Sequence, residues 1–129
     1  MGTRLPVGPF RDQTFVASES LAAYQYHLVK LASATTVALA GSDEKAIGVV
    51  QNAPASNELA IVRTKGESLC MVDGTSDIAL MDAVHPDGSS HAIVSDADKA
   101  WAVGFSREVV TSGTPALTVI DVFPHKASV

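Results

Sequence analysis

This sequence has few of the residues on which redox chemistry, metal binding and ligand pockets depend. Among 129 residues there is one cysteine, Cys70, which excludes an internal disulfide framework or a multi-cysteine zinc site and is typical of synthesis in a reducing cytoplasm. Aromatic residues make up 5% of the chain, which is little with which to line a pocket for an apolar ligand.

Positive charge and long apolar runs are also scarce. Nine Lys and Arg residues stand against 14 Asp and Glu, for a net charge of -5, and the basic residues are scattered, which argues against nucleic-acid binding. No run approaches the roughly 18 apolar residues that cross a membrane, and the start MGTRLPVGPF lacks the apolar core of a secretory signal. We therefore expect a protein made in the cytoplasm, with neither a nucleic acid nor a membrane as partner.

What the sequence does contain is a series of short apolar runs separated by turn residues. Apolar residues make up 47% of the chain, enough for one folded domain, and runs rich in Val, Ile and Leu at such spacing predict an all-β fold. We expect a small β-barrel or β-tulip of about eight short strands: Tyr26 to Leu31, Thr36 to Ala40, Ala46 to Gln51, Leu59 to Lys65, Ser68 to Val72, His91 to Val94, Trp101 to Ser106 and Ala116 to Phe123.

Three glycines and one segment indicate where the strands approach closely, bend or give way to a helix. Gly48 and Gly104 each interrupt an apolar strand, which indicates a close backbone approach of the kind that barrel closure requires. Gly66 with Glu67 predicts a tight reversal or a bulge between two strands. The segment Asp77 to Val84 is the one internal stretch that could form a short helix.

The first 23 residues differ from the rest and predict an extended N-terminal arm, followed by a barrel domain over residues 24–129. Prolines and glycines in this segment prevent a helix, yet it carries apolar residues that follow no sustained period. We expect the barrel to fold without residues 1–20, and the arm to bury its apolar side chains on a partner. The residues expected to bind this partner are Leu5, Val7, Phe10, Phe15 and Val16.

No group of residues predicts catalysis. A nucleophile needs a base and an orienting group, whereas Cys70 lies inside an apolar strand as a small hydrophobic residue would. Asp96 and Asp98 fall in turn sequence, where Asp is favoured for local backbone bonding. We expect no enzyme activity and no cofactor.

Two alternatives in the binding class stay open. His85 and His91 flank the turn Pro86 to Ser90, with Asp82 and Asp87 nearby, and could form a metal site, although this spacing matches no strong zinc signature. A small barrel could also be a ligand-binding or carrier module, although Lys45 and Lys99 lack the full motif of a modified lysine.

In order and spacing, several segments resemble a family of small phage proteins associated with capsid decoration. The similarity spans roughly Tyr24 to Phe123, in the pieces YHLVKL from Tyr26, AIGVVQNAP from Ala46, AIVR from Ala60 to Gly66, the Gly104 strand and TVI from Thr118. Where the family usually has Gly before the Asp of a turn, this chain has Met81 before Asp82.

The resemblance implies a β-tulip or small barrel that sits on the outer capsid surface of a virion as a cement protein. It implies the major capsid protein as partner, and self-association, often as a homotrimer.

Overall fold

The computed structural model describes residues 5–42, 44–75, 77–94 and 101–126, apart from the side chains of residues 101 and 124–126. In this part of the chain every regular element is a β-strand, so the predicted all-β fold is confirmed, and it contains no helix long and apolar enough to cross a membrane. The strands are β1 (Arg11–Ala17), β2 (Leu28–Leu31), β3 (Thr36–Leu39), β4 (Ala46–Val50), β5 (Leu59–Val72), β6 (Ala83–Pro86), β7 (Ala92–Val94), β8 (Trp101–Ser106) and β9 (Ala116–Lys126).

The first five strands close into a small barrel. Their order is β1-β3-β2-β4-β5, and the first half of β5 pairs back to β1 in antiparallel register. Only the contact between β1 and β3 is parallel. The barrel interior is filled by side chains that alternate along the strands with outward-facing ones: Ala17, Leu21, Val29, Val37, Val50, Ala60 and Val62.

The second half of β5 belongs to a second sheet. There β5 pairs with β9 from Gly66 to Val72, and the sheet continues through β8 and β6 to β7. Strand β7 returns to β5 through the single pair Val72–Ala92. The second core includes Leu28 and Val49, which lie on the opposite face of β2 and β4 from the first-barrel core residues Val29 and Val50. Strands β2 and β4 are therefore buried on both faces.

Strand β5 is one continuous strand of 14 residues, so of the two predicted alternatives at Gly66 and Glu67 the tight reversal is wrong. The pairing of β5 with β1 does shift register just before this point, where Arg11 pairs with Lys65 and Asp12 with Arg63. Gly66 does have a positive φ of +97°, a conformation that suits Gly, and a Cβ there would overlap Phe10. At this residue β5 changes partner: it pairs with β1 up to Lys65 and with β9 from Gly66 onward. The glycine thus marks a junction between two sheets in an uninterrupted strand.

The predicted helix over residues 77–84 is also wrong. Ile78 is buried and forms an isolated bridge with Val110, and β6 begins at Ala83. The Asp82 carboxylate accepts the Ala79 N–H at 2.8 Å, and such local side-chain bonds compete with helix formation. Met81 has a φ of +65°, in the left-handed region that favours glycine.

Part of the predicted N-terminal arm is inside the barrel. Arg11–Ala17 forms β1, which pairs with β5 from Arg11 to Val16 and with β3 at Val16 and Ala17. The structure therefore argues against the expectation that the barrel folds without residues 1–20, because that deletion would remove the strand that closes it. The described part of the arm that precedes the barrel is residues 5–10.

Gly48 and Gly104 occupy the close backbone approaches that the sequence predicts. A Cβ at Gly48 would overlap the carbonyl oxygen of Arg63, and a Cβ at Gly104 would overlap that of Asp121. Both contacts are with the backbone of a paired strand, which cannot move without loss of register.

We predict that Gly48→Ala and Gly104→Ala each lower the free energy of unfolding by about 3 kcal/mol, the upper part of the usual range for overpacking. Gly88→Ala is the matched control, since nothing lies within 4 Å of a Cβ at Gly88, and we expect little change from it. Urea denaturation followed by circular dichroism measures all three. Equal midpoints for Gly104→Ala and Gly88→Ala would contradict the prediction.

Candidate binding surface

The candidate site is the surface where β5 passes from the first barrel to the second sheet. We call it the waist and define it as residues 5–12, 63–67 and 121–123. It contains the described residues that precede β1, and it contains three of the five residues predicted to bind a capsid.

Arg63 is the centre of the waist. It pairs in register with Asp12 of β1, and the two side chains form a bidentate ion pair, with Nε–Oδ1 at 2.8 Å and Nη2–Oδ2 at 3.1 Å. The guanidinium lies 3.4 Å from the centroid of the Phe10 ring, and Nη1 donates to the Glu67 carbonyl at 3.0 Å. Arg63 therefore joins residues 10–12 to both halves of β5 through charge-assisted bonds and a cation–π contact.

Glu67 fastens the residues before β1 from the other side. Its carboxylate accepts the Val7 N–H at 2.9 Å and the Arg107 Nε–H at 3.2 Å. The Glu67 side chain is 11% exposed and that of Arg107 is 39% exposed. Residues 5–10 are thus held along the waist by their backbone, which leaves the side chains at Leu5 and Val7 to face outward.

An exposed apolar surface results. Leu5, Val7 and Phe10 are 78%, 60% and 47% exposed, and Phe123 of β9 is 51% exposed. Phe10 and Phe123 both line an open cleft of about 430 Å³, with Pro9, Lys65, Gly66 and Val122 among its other walls. Solvent-exposed apolar side chains gathered on one face are typical of a protein-binding surface.

The other two predicted capsid-binding residues lie in the barrel. Phe15 is half-buried and packs against the first-barrel core. Val16 is half-buried, lies on the opposite face of β1 and pairs with Leu59 on the neighbouring strand. Neither residue belongs to the waist, and a role for either in capsid binding stays a prediction.

The sequence left open a metal site formed by His85 and His91, and the structure places these two histidines in different surroundings. His91 packs against His27, with ring centroids 4.8 Å apart, and His85 is buried on β6 with no hydrogen-bond partner for Nδ1 among the described residues. In the described ranges no three His, Cys, Asp or Glu residues are grouped as metal ligands. Asp96, Asp98 and Lys99 lie outside the described residues.

Cys70 is fully buried on β5, and burial raises the pKa of its thiol far above the ordinary value. A buried thiol with a raised pKa holds its proton at neutral pH and is a poor nucleophile.

We predict that Asp12→Asn lowers the free energy of unfolding by about 2 kcal/mol. The substitution removes the carboxylate that pairs with the Arg63 guanidinium, and the Arg63 side chain is 11% exposed. The expected loss is smaller than for a fully buried ion pair, because the Asp12 side chain is about one-third exposed. Glu44→Gln, which breaks the more exposed ion pair with Lys30, is the control and should have a smaller effect. Thermal denaturation compares them, and a larger loss in Glu44→Gln would refute this view of the waist.

Comparison with known proteins supports the architecture. No protein-family model matches the sequence, and no curated protein matches it, so the resemblance to capsid decoration proteins stays a prediction. The crystal structure of the N base of head fiber gp8.5 in bacteriophage phi29 is similar to this structure with a TM-score of 0.60. The match covers 94% of this chain and 100% of that one, at 16% sequence identity, and it shows that the two share a fold.

Proposed function

We propose that this protein is a structural component of a bacteriophage virion, which binds the outer surface of the assembled capsid and stabilises it as a decoration or cement protein. The observation that carries the proposal is the fold shared with the base of a phage head fiber over nearly the whole chain. The order of sequence segments typical of decoration proteins supports it independently. The partner is the major capsid protein, and the protein is made in the host cytoplasm before it joins the particle.

The waist is the proposed capsid-binding surface. Its apolar side chains Leu5, Val7 and Phe10 are exposed, while Glu67 accepts the Val7 N–H and the Arg63 guanidinium lies over the Phe10 ring. A surface that is held in place before binding loses less conformational entropy on docking than a free tail would. This arrangement supports binding by a strap that is already ordered, with Phe123 at its edge as a further contact.

The protein is not an enzyme in this proposal, and it takes no cofactor and no nucleic acid. The buried Cys70 is not a reactive thiol, and the net charge of -5 opposes binding to phosphate backbones. A purely mechanical role needs none of these properties.

We also propose that copies of the protein associate with one another, most readily as a homotrimer. Leu59 and Ile61 on the outer face of β5 are 62% and 40% exposed, and Val16 lies beside Leu59 in register. The stripe comes before the waist residues 63–67 along β5. In this proposal the waist faces the capsid and the stripe faces a neighbouring copy.

We predict that the protein co-sediments with expanded heads of its phage more than with immature heads, and that the Leu5→Ser, Val7→Ser double variant weakens this binding about a hundredfold. Each apolar side chain contributes about 1.5 kcal/mol or more when buried, and 1.4 kcal/mol is about tenfold in affinity. The Ser variants keep the Val7 N–H that Glu67 accepts.

The matched control is Leu80→Ser, Val109→Ser, because these side chains are 58% and 61% exposed and are not among the waist residues. It should bind as the wild type does. If the wild type binds neither kind of head, the proposed function is wrong. If the wild type and the waist variant bind equally, the function stands and the waist is not the binding surface.

We predict that Leu59→Ser, Ile61→Ser reduces self-association, because the stripe loses most of its apolar area. Multi-angle light scattering of the free protein and imaging of decorated heads measure the number of copies per assembly. A wild-type protein that is monomeric both in solution and on the particle would rule out the trimer.

A further inference from the structure

The turn between β6 and β7, residues 87–91, belongs to the second sheet but lies on the first barrel. The Ser90 carbonyl accepts the Leu28 N–H of β2 at 2.9 Å, and Ser90 Oγ donates to the Ala40 carbonyl at 2.6 Å. Ser90 is 2% exposed. These two bonds connect the barrel to the second sheet at a place far from the waist along β5.

Two imidazole rings cover this contact. His27, which precedes β2, and His91, at the end of the turn, have ring centroids 4.8 Å apart at an angle of 44°. His27 is 7% exposed, and the edge of the Tyr24 ring contacts it at 5.2 Å. His27 Nδ1 lies 3.3 Å from the Ser89 carbonyl oxygen, and His91 Nδ1 lies 3.5 Å from Asp87 Oδ2.

We propose that this pair of histidines is an acid-sensitive latch, in which protonation of both rings separates the 87–91 turn from the first barrel. The inference concerns the fold itself and does not depend on the proposed function. Two imidazolium rings at this distance repel each other, and the bonds of Ser90 to Leu28 and Ala40 are the contacts that the repulsion would open.

The charged groups around the pair are Asp87 and Glu44. Asp87 Oδ2 lies 3.5 Å from His91 Nδ1, and the Asp87 charge also acts to raise the pKa of His27. Glu44 lines the same cleft, but its carboxylate is bound to Lys30 of β2 and accepts the Gly41 N–H. Tyr24 contacts His27 through its ring edge. One carboxylate, Asp87, which also accepts the Ser89 and His91 backbone N–H groups, therefore faces two rings that would both be positive at low pH.

The direction of the pH effect follows from the surroundings of His27. Burial, and next the proximity of His91, lower the pKa of His27 below its ordinary value, against smaller opposing effects of the Ser89 carbonyl and Asp87. A folded-state pKa below that of the open state means that the open state binds more protons. The latch is consequently complete above about pH 6.5, and it weakens as the pH falls below that value.

Hydrogen exchange at the Leu28 amide tests the proposal, because that N–H is bonded to Ser90 across the latch. We expect its protection factor, which is already corrected for the intrinsic pH dependence of exchange, to fall about tenfold or more between pH 7.5 and pH 5.0. Amides between β1 and β5, such as that of Thr14, should keep their protection over the same range.

His91→Gln is the decisive variant, because the His91 side chain is 19% exposed and its replacement removes one of the two charges without a cavity in the core. We expect its Leu28 protection to fall less over this range than that of the wild type, because the repulsion between the rings is lost while the burial of His27 remains. We expect His85→Gln, with the histidine outside the pair, to keep the wild-type pH response. Protection in the wild type that is independent of pH, or an equal fall in His91→Gln, would overturn the proposal.

Discussion

The ion pair between Arg63 and Asp12 is the interaction on which the shape of this molecule most depends. Arg63 lies on β5, the strand that both sheets share, and its buried positive charge needs a neighbouring negative charge. Asp12 of β1 supplies the carboxylate, Phe10 covers the guanidinium, and the Glu67 carbonyl accepts a further bond. The residues before β1 are thereby drawn across the waist and become part of the folded unit.

Much of the fold follows from local sequence. The apolar runs and turn residues identify the strands because a half-buried strand needs side chains of alternating character and a defined end, and the strand Trp101–Ser106 has the predicted bounds. Gly48 and Gly104 reveal backbone contacts because no other residue fits them. What local sequence cannot express is pairing: β5 continues through Gly66 because β9, distant in the chain, takes over from β1.

The candidate surface is less visible in the sequence. Leu5, Val7 and Phe10 stand out because apolar residues among Pro and Gly have no core of their own, but Phe15 has the same signal and turns inward once β1 pairs with β5. Phe123 gives no distinctive signal, since it is one apolar residue in an apolar strand. The contact of His27 with His91 joins residues 64 positions apart through tertiary structure alone.

The shared strand also sets the order in which the protein can form during synthesis. The first barrel consists of β1 to β4 and the part of β5 before Gly66, so that barrel can close while the rest of the chain is still being made. The second half of β5, with the apolar run Leu69 to Val72, must then wait for β9 at residues 116–126. In that interval it presents an unpaired edge of high β-propensity. Translation between these two strands is therefore the period in which the nascent chain is most open to pairing with the wrong partner.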